Sequence, residues 1–333
     1  MAVSEHQALV PQGAAAIARW RSENPGQRLD LSGADLSHAV LRGVSLSGAR
    51  LDDAVLDHAD LTDADLSAAD MSSASLKCSQ LGGARLVGAA LDHANLTEAG
   101  LRGANLSNCD LSWSSLIGVD ARDADLSAAE LVNADLSKAR LGDACLHRAV
   151  LVNADLTHVN AAGADFRGAD LVNATLEGAS LQGCCFVEAR LIHANCRGAN
   201  LSQCSLGDAE STDLTGANLS GANLEQSRLL DSRLTDSDLH NANMAHADFR
   251  GVDLRGANLT DADLADTCLL SARLAGAQVG SAEFWSTPGG QQRRPRNCGD
   301  LQQRWEIIAN SNRYGRPTYV LRERRSGTVE NVT

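Results

Sequence analysis

Apolar residues recur at every fifth position along most of this chain. From Leu31 to Leu206 the rhythm gives 36 consecutive centres, of which 30 are leucine, and alanine stands two residues before 27 of them. The same rhythm returns for 15 more centres from Leu214 to Phe284, out of phase with the first block. A period sustained over this length predicts a repeat architecture in which each short unit stacks on its neighbours.

A period of five fits neither an α-helix nor a straight β-strand. Five residues turn an α-helix by about 500°, so successive leucines would spiral around it. In a straight strand, an odd spacing would place alternate leucines on opposite faces. Both conflicts disappear if the chain bends once in every five residues. The centre and the residue two before it then point inward, the positions flanking the centre point outward, and the residue two after the centre forms a corner.

Near-identical segments also recur at a longer interval of 20 residues. They read LVNAD at 131–135 and 151–155, LVNAT at 171–175 and LIHAN at 191–195. Because 20 residues are four pentads, the sequence predicts a coil with four sides, in which residues 20 apart stack as neighbouring rungs. Residues ten apart face each other across the coil, so the large Phe186 is predicted to oppose the small Cys196.

These segments resemble the pentapeptide-repeat family, whose pattern is A-(D/N)-L-x-x. Typical stretches are LSGAD at 31–35, LTDAD at 61–65 and LRGAN at 101–105, and the pattern matches 51 pentads across residues 29–284. The resemblance implies an all-β solenoid, a right-handed quadrilateral β-helix with four pentads in each of about 12–13 coils.

Residues 1–28 precede the repeats and are predicted to form an N-terminal helical cap. Residues 11–21 have helical character, with proline at the start and Ile17 and Trp20 on one face. A cap of this kind would cover the open edge of the first coil.

The repeat array, residues 29–284, contains one phase slip at 207–213. The leucine centres on either side of the slip, at 206 and 214, are eight residues apart instead of five. This spacing corresponds to a three-residue insertion or a two-residue deletion. It predicts either a simple bulge at a corner or a loop that shapes a binding surface.

Residues 285–333 form a C-terminal α/β extension with a composition of its own. A linker rich in glycine, proline and arginine leads to a helix predicted from Asp300, with Leu301, Trp305 and Ile308 on one face. The segments PTYVLRER and GTVENV predict a hairpin. The extension has nine arginines against four acids, whereas the array has 36 acids against 17 bases. The extension is therefore interpreted as a cap held partly by charge or as a segment for homodimer or partner contacts.

Composition and charge narrow the class of protein. A net charge of −13 argues against a general nucleic-acid binder. The N-terminus has no apolar signal-peptide region and no apolar run is long enough to span a membrane, so a cytoplasmic protein without membrane contact is expected. The nine cysteines include no CxxC pair, which favours free thiols. Four of them occupy inward positions and are predicted to be small core residues: Cys109, Cys184, Cys196 and Cys204.

The chain lacks the sequence motifs of common enzymes, and a filled leucine core would leave no pocket for a substrate. We therefore expect no catalytic residue and no cofactor. One column of corner residues has the side-chain types that bind zinc: His38, His58, Cys78 and Glu98. Because they would stand in a line on a convex surface, we expect solvated corner residues instead of a metal site.

Acidic residues crowd the early coils and suggest a function. The candidate acidic surface comprises Asp52, Asp53, Asp57, Asp60, Asp63, Asp65 and Asp70. Some relatives in the family it resembles bind DNA gyrase or topoisomerase IV as DNA mimics and protect the enzyme from quinolones or peptide toxins. The resemblance therefore implies a protein partner, a type II topoisomerase, whose DNA-binding surface the carboxylates would occupy.

A second candidate surface is apolar. It comprises outward branched residues 20 apart with an asparagine column beside them and two further apolar residues nearby: Val132, Val152, Val172, Ile192, Asn133, Asn153, Asn173, Trp113 and Ile117. A contiguous patch with a tryptophan is where protein contacts concentrate. The alternative function is thus that of a general interaction scaffold. A third hypothesis is that the protein is a delivered effector or an immunity factor. The dependence of binding on salt would distinguish DNA mimicry from the scaffold hypothesis, because binding through charge weakens as ionic strength rises, whereas binding through an apolar surface should not.

Overall fold

The structure is a computed structural model, which describes residues 4–207, 212–280, 282, 305–311, 317–323 and 329–332. The chain comprises two compact units, Met1–Ser180 and Leu181–Thr333. Among the described residues, no helix has the length and apolar character needed to cross a membrane.

The N-terminal segment contains three short helical elements. Helix α1 is Ser4–Gln7, a 3-10 turn follows at Val10–Gln12, and helix α2 is Ala14–Glu23. Helix α2 begins later than the sequence predicts, because Gly13 has φ 80° and ψ −173° and interrupts the helical backbone after the 3-10 turn. Ile17, on α2, is fully buried.

Side chains of this segment hydrogen-bond to the first coil of the array. The Nδ1 atom of His6 accepts a hydrogen bond from the backbone N–H of Asp30, at 3.0 Å. Arg21 donates to the carbonyl oxygen of Ser47 at 2.7 Å, and Arg28 donates to that of Gly48 at 2.8 Å. The bonds to Asp30 and Ser47 take the place of bonds that a preceding coil would make.

In the first unit, each pentad makes one turn and one bridge to the next coil. The N–H of Ala34 donates to the carbonyl of Leu31 at 3.0 Å, and the third residue of the turn, Gly33, has φ 62°, as a type II turn requires. Asp35 then forms a parallel bridge with Val55, 20 residues further along. Each side of a coil has a single bridged residue before the chain bends again. The array is therefore built mainly from isolated β-bridges, with few longer strands.

Leucine and alanine fill the interior of both units, so the inward and outward assignment made from the sequence is confirmed. Leu56, Leu61 and Ala59 have no exposed surface. The largest fully buried side chains include Phe166, Phe186 and Phe249, which stand at centres where leucine is usual. Each buried leucine contributes about 1.5–3 kcal/mol of hydrophobic free energy before chain entropy is subtracted.

The four inward cysteines are part of this core. Cys109, Cys184, Cys196 and Cys204 are at most 1% exposed, and all are free thiols. Burial raises the pKa of Cys109 to about 12 and that of Cys196 to about 12. Both thiols therefore stay protonated near neutral pH, which agrees with a packing role.

The corner residue of each pentad adopts the left-handed backbone region. Glycine adopts this conformation readily, whereas for other residues it costs about 1–2 kcal/mol of conformational free energy. Corners also differ in what lies above them. A side chain added at Gly251, with φ 72°, would meet the carboxylate of Asp231 from the corner 20 residues before, whereas nothing lies within 4 Å of the same position at Gly221, with φ 66°.

We expect Gly251→Ala to lower the free energy of unfolding more than Gly221→Ala. Both replacements place alanine in the left-handed region, at a cost of about 1 kcal/mol. Only Gly251→Ala must also displace the Asp231 carboxylate, which adds about 1 kcal/mol. Urea unfolding of the two variants measures the difference. Equal losses would show that backbone conformation alone makes glycine necessary at these corners.

The phase slip is a three-residue insertion. In the second unit, Arg190 bridges to Asp213 across 23 residues, whereas Asp213 bridges to Arg233 across the usual 20. Strand β1, Ser205–Gly207, pairs in parallel with β2, Arg228–Leu229, with an irregular register. The alternative of a two-residue deletion is therefore wrong.

Ordered pairing resumes directly after the insertion. Thr212 has no exposed surface, and its hydroxyl donates to the carbonyl of Phe186 at 2.7 Å. Residues 208–211, within the phase slip, lie outside the described residues. From Asp213 onward the columns continue with the spacing they had before it.

The C-terminal extension contains three antiparallel strands, β3 at Trp305–Ser311, β4 at Pro317–Glu323 and β5 at Val329–Val332, in the order β3-β4-β5. The helix predicted from Asp300 is wrong over Trp305–Ser311, because these residues pair with β4 along their whole length. Isoleucine and tryptophan favour strands, and this preference prevails over the helical spacing. The two segments predicted as a hairpin are paired as β4 and β5. Residues 300–304 lie outside the described residues.

Candidate functional site

One side of the first unit, here termed face A, is formed by two outward columns of residues. The first column is a continuous series of parallel bridges: Asp30, Arg50, Asp70, Ala90, Asp110, Glu130, Val150 and Asp170. The second lies two residues further along each rung: Ser32, Asp52, Ser72, Asp92, Ser112, Val132, Val152 and Val172. Hydrogen bonds from Ser32 to Asp52 at 2.7 Å and from Ser72 to Asp92 at 2.6 Å join neighbouring rungs of the second column.

The rungs from Asp30 to Glu130 form the acidic half of face A. They carry six acidic residues and one base, Arg50. Arg50 lies 3.3 Å from a carboxylate oxygen of Asp30 and 3.5 Å from one of Asp52. The other four acids, Asp70, Asp92, Asp110 and Glu130, have no arginine or lysine partner within the part of the chain that the structure describes. This half of the face is therefore a column of largely uncompensated negative charge.

The seven acids predicted from the sequence do not share one side. Asp52 and Asp70 lie on face A, and Asp53 lies at its corner. The remaining four belong to other sides or corners: Asp57, Asp60, Asp63 and Asp65. The bridges show this directly, since Asp60 stands between Val40 and Gln80, whereas Asp65 stands between Ser45 and Arg85.

Sequence reasoning also missed acids that the structure places on face A. Asp92 and Asp110 lie on it although they are distant in sequence from the cluster at 52–70. Following each column at steps of 20 residues would have found them. Acids that are close in sequence lie on different sides of the coil, whereas acids 20 residues apart lie on the same side.

Face A also carries an apolar strip, defined here as Val132, Val150, Val152, Val172 and the corner residue Trp113, which overlaps the end of the acidic half and borders Asp170. The four valines are half-buried, and Trp113 is 60% exposed. The backbone N–H of Trp113 donates to the carbonyl of Val132 at 2.9 Å, which fixes the tryptophan beside the valines. Val150 belongs to this strip, although the sequence analysis did not include it.

The other residues predicted for the apolar surface are placed as follows. The amide of Asn173 donates to the side-chain oxygen of Asn153 at 3.2 Å, and the N–H of Asn133 donates to the carbonyl of Val152 at 3.0 Å. An asparagine column thus borders the valines. Ile117 is half-buried on the adjacent side, and Ile192 belongs to the second unit.

Trp113 is an unusual residue for its position. It occupies a corner with φ 62°, where a bulky side chain is uncommon. Its ring stacks on that of His93, with centroids 6.2 Å apart and planes inclined by 14°. An exposed indole held in a costly backbone conformation contributes little to the core.

The column with zinc-binding residue types forms separate pairs. The rings of His38 and His58 stack with centroids 5.0 Å apart, and the thiol of Cys78 lies 3.7 Å from a carboxylate oxygen of Glu98. Within the described ranges, no three histidine, cysteine or acidic side chains converge as metal ligands.

The regular pentads account for the family match. The family model for pentapeptide repeats matches in eight copies, at residues 30–67, 74–112, 104–143, 114–151, 149–186, 184–210, 212–251 and 242–277. The chain belongs to the pentapeptide-repeat family. A search of curated proteins finds no significant match.

Solved pentapeptide-repeat structures are similar to this member of the family. HetL, from the cyanobacterium Nostoc sp. strain PCC 7120 and involved in heterocyst differentiation regulation, is 24% identical, with coverage of 81% of this chain and 96% of HetL and a TM-score of 0.28. QnrB1, a plasmid-mediated fluoroquinolone resistance protein, is 18% identical, with coverage of 56% and 89% and a TM-score of 0.41. With these scores, neither structure carries a functional argument.

The aspartate or asparagine of the pentapeptide repeat has a structural role here. The carboxylate of Asp65 accepts hydrogen bonds from the N–H and hydroxyl of Ser67, at 3.1 and 2.6 Å. Asn105 makes the same two bonds with Ser107, at 3.0 and 2.7 Å. At Asp60, the hydroxyl of Thr62 lowers the pKa of the carboxyl, while burial acts in the opposite direction. Because asparagine serves the turn equally well, the charge at these positions can be changed without loss of the local structure.

Proposed function

We propose that this pentapeptide-repeat chain is a non-catalytic cytoplasmic binding protein that imitates DNA and occupies the DNA-binding surface of a type II topoisomerase, gyrase or topoisomerase IV. The observation that supports this function is the acidic half of face A, where four carboxylates without a basic partner among the described residues stand on one side of the array. The five steps from Asp30 to Glu130, at about 4.8 Å each, extend about 24 Å, which is the length of about seven base pairs of DNA.

A surface that binds DNA is lined with lysine and arginine, and these residues would pair with the carboxylates of face A. Such complementarity mainly accelerates encounter and selects the partner. Exposed charges are screened over about 10 Å at 0.1 M salt, so the affinity should fall steeply as salt is added.

Charge removal on face A should relieve inhibition of gyrase. We expect wild-type protein to inhibit supercoiling, and the triple variant Asp70→Asn, Asp92→Asn, Asp110→Asn to need at least about tenfold more protein for the same inhibition. Asparagine preserves the hydrogen bonds that aspartate makes, as Asn105 shows. A DNA supercoiling assay at low salt measures the effect.

The matched control removes the same charge from other sides, through Asp60→Asn, Asp63→Asn and Asp65→Asn. It should inhibit as well as the wild type. Equal losses in both triple variants would assign the activity to total charge and not to face A. If micromolar wild-type protein neither inhibits supercoiling nor binds gyrase, the mimic proposal is wrong.

The second candidate function is a protein-interaction scaffold that binds through the apolar strip. The exposure of Trp113 favours it, because a 60% exposed tryptophan gives the array little stability and is a common anchor at interfaces. Binding through the strip should depend weakly on salt, whereas DNA mimicry should depend on it strongly.

A further inference from the structure

Backbone groups at the N-terminal edge of the first coil have no hydrogen-bond partner among the described residues, on three of its four sides. In an interior coil, the residue before each centre makes two ladder bonds toward the N-terminal end. Val55, for example, donates to the carbonyl of Ala34 at 2.9 Å and accepts from the N–H of Leu36 at 2.7 Å. The equivalent residues of the first coil are Asp30, Asp35, Val40 and Ser45.

The N-terminal segment satisfies only part of this edge. His6 pairs with the N–H of Asp30, while Arg21 and Arg28 bond to the carbonyls of Ser47 and Gly48, beyond Ser45. For Asp35 and Val40, neither the N–H nor the carbonyl has a hydrogen-bond partner within the residues that the structure describes. Ser45 is unpaired in the same way, so three donors and three acceptors at these ladder positions have no partner among the described residues.

A groove runs along the unpaired groups of Asp35 and Val40. One wall is formed by the first coil and the other by the N-terminal segment, with Gln7, Val10, Pro11, Gln12, Gly13, Asp35, Leu36, Ser37, Ala39 and Val40 as lining residues. Val40 is 69% exposed. Among the described residues, it is more exposed than Trp113, the other large apolar residue with an exposed side chain. Ala39 is half-buried, whereas its equivalent one coil later, Ala59, has no exposed surface.

We propose that this groove binds a short, extended, basic peptide of another protein, which adds a strand to the open edge at Asp35 and Val40. An unpaired strand edge is a template for such pairing. The lining contains one carboxylate, Asp35, and no basic side chain, so lysine or arginine in the peptide is favoured. Val40 provides an apolar contact for the alternate side chains.

The size of the groove favours a peptide over a second copy of this chain. A segment of about five residues on this edge buries far less than the roughly 1,200 Å² of a stable protein interface. The proposal is independent of face A, which lies on the side that His6 covers.

The test uses the full-length protein and an N-acetylated octapeptide of alternating lysine and valine. Its binding is followed by amide chemical shifts in an NMR titration. Val40→Pro removes one unpaired N–H without removing a hydrogen bond among the described residues, and should weaken binding at least tenfold. Ser45→Pro removes the N–H at the equivalent ladder position outside the groove, and should change binding less than twofold.

A second peptide keeps the test decisive even if a proline variant does not fold. It has the same sequence, with alternate backbone amides methylated so that they cannot donate hydrogen bonds. This peptide should bind at least tenfold more weakly than its parent. Equal binding of the two peptides would reduce the contact to charge and overturn strand addition, as would the absence of binding by the parent peptide. Self-association of the wild type that Val40→Pro abolishes would make the occupant a second copy and would also overturn the proposal.

Discussion

Leu136→Asp should lower the free energy of unfolding of the first unit by at least about 4 kcal/mol, the largest effect expected for a single change in this protein. Leu136 has no exposed surface and lies in the leucine stack of the array. A carboxylate at this position would be buried without a partner, which costs several kcal/mol. Because each coil is stabilised by its neighbours, the coils on both sides should lose order together. Thermal unfolding followed by circular dichroism measures the loss.

Ser137→Asp is the matched control for this prediction. It introduces the same carboxylate one residue further along, where the side chain points outward and is half-buried. An outward substitution of this kind should change the free energy of unfolding by no more than about 1 kcal/mol. If the two variants melted at the same temperature, the inward and outward assignment of the pentad would be wrong.

Trp113→Ala combined with Val152→Asp should weaken binding through the apolar strip by about 2 kcal/mol or more, which is about thirtyfold in affinity. The tryptophan offers the largest contact area, and the aspartate places a charge in the middle of the strip. Sedimentation velocity measures self-association, and a pull-down compares the proteins that the wild type and the double variant capture. Both residues point outward, so the melting temperature should hardly change.

Val87→Asp is the control for the strip. Val87 is an outward, half-buried valine that follows its leucine centre as Val152 does, but on a different side of the coil. Its replacement should leave association unchanged. A double variant of Trp113 and Val152 that self-associates and captures the same proteins as the wild type does would show that the strip reflects only the preference of valine for β structure.

The sequence predicted the repeat geometry well because one physical requirement recurs in every pentad. Leu61 is buried for the same reason as Leu56, so the period alone specifies the bend, the inward residues and the corner. Even the exceptions, such as Cys109, obey the pattern, since a small side chain stands where alanine is usual.

Features that depend on a particular pairing were harder to predict. From the sequence, the phase slip near Gly207 could be an insertion or a deletion. The bridge between Arg190 and Asp213, which spans 23 residues, shows that it is an insertion. Trp305 and Ile308 have helical spacing, yet their pairing with β4 makes them part of a strand. The acids of face A, such as Asp92, are dispersed along the chain, so their grouping emerges only when the coils are stacked.

The insertion between Gly207 and Thr212 has a consequence for protein engineering. The 20-residue spacing is restored at Asp213, so the added residues do not displace the columns that follow them in the second unit. Lengthening a loop whose ends are already held apart costs only about 0.6 kcal/mol for each doubling of its length. We therefore expect that foreign sequence, such as an epitope or a small reporter domain, can be grafted here without displacing the later columns.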